Sequence, residues 1–150
     1  MKIGQICNRR VFRTNKTERV LTAARRMRDE HVGDLVVVEE AQGKVVPVGM
    51  LTDRDIVVGV LARDIEHLRT LDVGDVLTRD VVMAQETDDL SDVLERMAQQ
   101  GVRRMPVVDG RGALVGIFTL DDWLETLSRD LQRVLKLIDR ERREEAERRP

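Results

Sequence analysis

The chain has 150 residues, a formal net charge of −2 with 36% charged residues, and 41% hydrophobic residues. That apolar share suits a globular core and argues against wholesale disorder. The near-neutral charge removes the basic excess needed to bind nucleic acid or an anionic membrane without specificity. One Trp, two Phe and no Tyr leave little to stack on single-stranded nucleic acid, and the single cysteine excludes an intrachain disulfide.

In chain order, residues 1–5 lack the apolar core of a signal peptide, and no apolar run reaches membrane-spanning length. The expected compartment is the cytoplasm. Gly4-Gln5-Ile6-Cys7-Asn8-Arg9-Arg10-Val11 then opens a repeat whose second copy, Gly74-Asp75-Val76-Leu77-Thr78-Arg79-Asp80-Val81, lies 70 residues on. The first copy predicts an extended piece at Val11-Phe12-Arg13. An amphipathic helix follows, capped by Thr17, with Val20, Leu21, Ala24 and Met27 at helical spacing. Next come a buried strand at Leu35–Val38, a turn at Gly43, a strand at Val48–Leu51 and a helix from Thr52. The second copy predicts the same order: Val81-Val82-Met83, then a helix capped by Thr87 and carrying Leu90, Val93, Leu94 and Met97. Strands at Met105–Val108 and Leu114–Phe118 flank a turn at Asp109-Gly110 and Gly112, and a helix starts at Thr119. The loop Glu39–Val48 is longer than its counterpart Asp109–Val115, which shifts the later register by three residues.

One such repeat has a marginal core, and two packed together bury far more apolar area. The expected fold is α+β: two β-α-β-β-α units related by a pseudo-twofold axis, packed sheet to sheet, with clefts where they meet. The boundaries fall at 1–68, 69–128 and 129–150, the last a C-terminal helix and charged tail. Leu120, Leu124, Leu127, Leu131, Val134 and Ile138 alternate by four and three, a short heptad stripe that Trp123 and Leu135 widen. It reads either as a helix lying on its own domain or as one packing against a second subunit. From Asp139 the chain is almost all Arg and Glu with mixed signs, which suits a solvated end rather than a nucleic-acid arm.

The motif that carries chemistry is Gly-x-x-Thr-x-x-Asp, present as Gly49/Thr52/Asp55 and Gly116/Thr119/Asp122. Each copy sits at a strand-to-helix junction. Glycine there admits a ligand or another backbone, the first helical turn offers unpaired N–H groups to an anion, and a carboxylate matches the cis-diol of a ribose. Thr-x-x-Asp is also a capping box, which explains a single copy well. Repetition at equivalent points, each time with the glycine, is what raises the nucleotide reading above the cap.

These motifs, with Val102-Arg103-Arg104-Met105-Pro106-Val107-Val108-Asp109 in the second half, resemble CBS motifs, and the pair resembles a Bateman module over Met1 to about Leu127. The likeness is to stand-alone bacterial two-motif proteins rather than to enzymes carrying the module as an insert. The resemblance implies clefts for adenosine derivatives such as AMP, ADP, ATP, S-adenosylmethionine or NAD. By it, Asp55 and Asp122 hold ribose hydroxyls, and Thr52 and Thr119 contact phosphate. The base sits between the first strand, near Val11 or Val81, and the central strand, near Val32 or Met105-Pro106. It also implies a homodimer, commonly a flat disc, that senses cellular energy charge for a partner protein.

The two halves differ. Proline before the central valines is present as Pro106 but absent at Val36, and Arg54 stands where the second motif has Asp121. Beside Asp53 and Asp55, Arg54 is expected to help neutralise a phosphate, whereas Asp121 repels one, so the Thr52/Asp55 cleft is the expected polyphosphate site. Arg104, or Arg103 beside it, offers a further cation to the cleft. His31 and His67 lack metal-ligand neighbours, Asp53, Asp55 and Asp64 do not follow EF-hand order, and no nucleophile–base set appears, so no metal site and no catalysis are expected. The competing reading is an interaction module with empty clefts.

Overall fold

The computed structural model describes residues 1–63 and 65–149; Asp64, one of the acids weighed against the EF-hand order, and Pro150 lie outside the described residues. The first repeat runs α1 (Ile3–Ile6), β1 (Arg13–Thr14), α2 (Val20–Glu30), β2 (Asp34–Ala41), β3 (Lys44–Thr52) and α3 (Asp53–Ile56), then a π-helical turn Val57–Leu61 and a 3₁₀ turn Ile65–Arg69. The second runs α4 (Val73–Val76), β4 (Ala84–Gln85), α5 (Leu90–Gln100), β5 (Arg104–Val108) and β6 (Leu114–Thr119), followed by α6 (Leu120–Arg148). Each repeat forms a three-stranded sheet, ordered β1-β2-β3 and β4-β5-β6, in which the short first strand pairs parallel to the central one. The architecture is therefore the expected α+β pair with a long C-terminal helix.

Three local expectations need correction. The extended pieces begin two and three residues later than the apolar pattern indicated, at Arg13–Thr14 and Ala84–Gln85. The first long helices are N-capped by Arg19 and Asp89, not by Thr17 and Thr87. Thr17 instead donates to Asn15 through its N–H (3.0 Å) and hydroxyl (2.8 Å), closing the turn before α2. The stretch Glu39–Val48 is ladder rather than loop: β2 and β3 stay paired to Ala41↔Lys44, with an irregularity between Val37 and Val38. Gln42 and Gly43, both at positive φ, make the tight reversal that a two-residue hairpin needs.

The short helices α1 and α4 were not anticipated, because four residues carry no periodicity. They cross between the repeats. Val73 and Leu77, at the ends of the α4 segment, lie in a core cluster with Val20, Ala23, Met27, Leu35, Val37, Leu51 and Ile56 of the first repeat. Val73 N–H donates to the Glu18 carbonyl (2.8 Å), and its counterpart Ile3 donates to the Asp88 carbonyl (3.0 Å). The second repeat thus completes the core of the first, Ile3 is itself buried, and the pseudo-twofold relation extends to paired bridges, Lys2↔Asp89 with Arg19↔Asp72 and Asn8↔Ile117 with Met50↔Thr78.

The chain divides into two compact units, Met1–Phe118 and a second from Thr119 onward. The second is α6, 29 residues, about 44 Å at the usual helical rise. None of its side chains is buried, and Leu124, Leu127, Leu131, Val134 and Leu135 are each about half-exposed or more. Among the described residues no helix is long and apolar enough to cross a membrane.

Candidate functional site

The register of the first sheet delivers Thr52 to its place. Leu51 is buried in the core and Thr52, next along β3, ends the strand opposite Asp34. There the chain turns into α3. Thr52 Oγ1 accepts the Asp55 N–H (3.0 Å), and the Asp55 carboxylate accepts the Thr52 N–H through Oδ2 (2.9 Å). The capping box read from the sequence is thus fully formed in this copy. In the second copy the Thr119 hydroxyl accepts the Asp122 N–H (3.1 Å), and Asp122 is exposed.

Beside Thr52 lies a cleft of about 190 Å³ lined by Met50 and Thr52 of the first repeat and by Thr78, Asp80, Val81, Val82, Val102, Arg103 and Arg104 of the second. It is smaller than the roughly 300 Å³ at which sites for small organic ligands begin, so a nucleotide seated there would extend beyond it. The wall is apolar toward Val81, Val82 and Val102, while the rim carries two threonine hydroxyls, two guanidinium groups and the Asp80 carboxylate. An apolar wall faces a flat base, and a hydroxyl with adjacent cations suits an anionic group.

Of the residues singled out in the sequence, this cleft brings together Thr52, Val81, Arg103 and Arg104. Asp55 is half-buried as the partner of the Thr52 N–H and is not itself among the lining residues. Asp53 and Val32 line a separate groove with Ala24, Met27, His31 and Val57, and the Asp53 N–H donates to the Gly33 carbonyl (2.9 Å). Arg54 is exposed on α3 and is not among the lining residues. Val11 is half-buried just before β1, and Met105 and Pro106 are buried within β5. Thr119 and Asp122 belong to the C-terminal unit.

Sequence reasoning missed Thr78 and Asp80. The bridge Met50↔Thr78, with N–H···O distances of 3.0 and 2.8 Å, carries the α4–β4 linker past the end of β3. Only that crossing brings Asp80 to the cleft, and no local pattern announces it. The bridge also explains the repeated glycine. A methyl group at Gly49 would overlap Leu77 Cδ1 and lie 3.0 Å from the Thr78 carbonyl; one at Gly116 would lie 2.6 Å from Cys7 Sγ and 3.0 Å from the Asn8 carbonyl. Of the two uses a glycine offers here, the structure shows close approach of another backbone. Cys7, packed at that approach, has its thiol pushed up in pKa, chiefly by burial. No cluster of His, Cys, Asp and Glu fit for a metal ion occurs among the described residues.

Comparison with known proteins supplies the wider setting. The family profile for the CBS domain matches residues 3–61 and again 73–129. An uncharacterized protein of Methanopyrus kandleri is 30% identical over 125 residues, a stretch that is 83% of this chain and 62% of that protein. The chain therefore spans less than two thirds of that relative. The crystal structure of an uncharacterized conserved protein from Pyrococcus horikoshii superposes with a TM-score of 0.70 at 30% identity, covering 83% of this chain and 90% of the other. A CBS domain pair crystallised with 5′-methylthioadenosine and S-adenosylmethionine matches in fold, with a TM-score of 0.72 at 24% identity over 87% and 98% of the two chains.

Proposed function

Since the chain belongs to the CBS-domain family and carries the domain twice, we propose that it is a regulatory module that binds an adenosine nucleotide of the AMP/ADP/ATP class between its repeats. The observation that carries this is the cleft itself, because its two walls come from different repeats: Thr52 at a helix cap on one side, Val81 and Arg104 on the other. The base lies on the apolar wall, the phosphate meets Thr52 and Arg104, and Asp55 takes the ribose. A ligand spanning both walls favours one relative setting of the repeats, and a partner reads that setting as a population shift. S-adenosylmethionine or NAD would use the same wall, and a structural neighbour crystallised with S-adenosylmethionine and methylthioadenosine supports the adenosine class. On this reading the protein is cytoplasmic and not catalytic, and it binds neither nucleic acid nor membrane.

Isothermal titration with AMP and ATP tests it. ATP binds the wild-type protein, the affinity falls in Asp55→Ala, and it falls less in Asp122→Ala. Equal losses in the two variants refute the unequal clefts, and no heat from either nucleotide refutes the ligand reading. A second reading, an interaction module that works by homodimerisation, is favoured by the exposed heptad face of α6.

A further inference from the structure

Offset by 70 residues, Asp34 and Arg104 occupy the same position in the two repeats, each opening its central strand. Residues equivalent about a twofold axis meet each other when they lie on it, and these do: Arg104 Nε stands 2.7 Å from Asp34 Oδ2. A symmetric pair of arginines or aspartates would repel at this place. Here the two copies have diverged to opposite charge. The pair is well protected on one side only, with the Asp34 side chain 15% exposed and that of Arg104 37%. Arg104 also lines the cleft, and Asp34 sits opposite Thr52 in the β2–β3 register. Thr52, Asp34 and Arg104 therefore form one continuous line from the first repeat to the second.

We infer that Asp34 is a positioning residue: by holding Nε from behind, it aims the terminal nitrogens of Arg104 at an anionic group in the cleft, and so sets the preference for a phosphorylated over an unphosphorylated nucleoside. A long arginine side chain fixed in advance loses less entropy when it binds. The pairing edge matters too, because Nε is engaged by the carboxylate while Nη1 and Nη2 make the fork that a phosphate accepts. The divergence also assigns the anion end to one cleft, since the first repeat presents a carboxylate where the second presents the guanidinium.

This rests on the nucleotide reading above, and the experiment separates the two. Titrate adenosine and AMP into the wild-type protein and into Arg104→Gln, Asp34→Ala and Asp34→Asn. The ratio of AMP to adenosine affinity falls about tenfold in R104Q, the loss of one charge-assisted hydrogen bond. It falls about fivefold in D34A, the cost of fixing one long side chain. It is held in D34N, whose amide oxygen still accepts from Nε, and adenosine affinity itself stays constant throughout. If both ligands bind and the ratio is unmoved in D34A, or D34N falls with it, the positioning role is overturned while the nucleotide reading stands. If neither ligand binds the wild-type protein, both are overturned.

Discussion

The close approach at Gly49 can be tested by adding a single methyl group. In Gly49→Ala the new Cβ overlaps Leu77 Cδ1 and presses on the Thr78 carbonyl at 3.0 Å. Leu77 is 7% exposed and belongs to the core cluster, so its side chain has little room to retreat. Overpacking of this kind costs about 1–3 kcal/mol. Shifting the linker also weakens the reciprocal Met50–Thr78 bonds at 3.0 and 2.8 Å, each worth about 0.5–1.5 kcal/mol. The sum, about 2–4 kcal/mol, lowers the melting temperature by on the order of 10 °C for a chain of this size. Gly110→Ala is the control: nothing lies within 4 Å of its Cβ position and its φ is not left-handed, so it stays within about 0.5 kcal/mol of the parent. Thermal and urea unfolding of G49A, G110A, Leu77→Ala and the G49A/L77A double variant complete the measurement. The double variant should be more stable than the sum of the single losses predicts, because the alanine at 77 vacates the space the new methyl needs. A melting temperature for G49A within about 2 °C of G110A would refute the packing argument and return the glycine to the ligand.

Two further predictions follow from exposed features. Leu131, 60% exposed on the heptad face of α6, should leave the fold intact when changed to Lys but lower the mass found by light scattering if that face joins two copies; an unchanged mass removes α6 from the interface. The Asp89 carboxyl is held below its ordinary pKa, first by the hydrogen bond from Lys2 at 2.9 Å and then by that ammonium's charge. A depressed folded-state pKa contributes stability that is present above the unfolded value near 3.9 and is lost as pH falls through the lower folded value. Lys2→Met should therefore flatten the stability curve below about pH 4, read by urea midpoints, and an unchanged acid limb would count against the pairing.

Much of the site was legible as chemistry and little of it as geometry. Thr52 was readable because a hydroxyl three residues before an acid at a strand end makes a cap in any context. Arg54 and Arg104 illustrate the limit. Both are arginines next to a marked motif, and charge alone favoured Arg54, which the structure puts on the exposed side of α3. Arg104 reaches the cleft because β5 belongs to the opposite wall, and only the packing of one repeat on the other decides that. Asp34 gave no signal at all, since its partner lies 70 residues away and the pairing follows from a symmetry axis, not a spacing.

The sequence by itself determined the repetition, the order of the main strands and helices, the caps at Thr52 and Thr119 (though not those of α2 and α5) and the amphipathic faces. These depend on neighbours a few residues apart, and periodicity records them directly. Tertiary structure alone decided that α1 and α4 cross between the repeats, that the glycines admit backbone, and that an acid and a base from equivalent positions meet at the cleft. Those contacts join residues distant along the chain, and they exist only once both repeats have buried their apolar faces against each other.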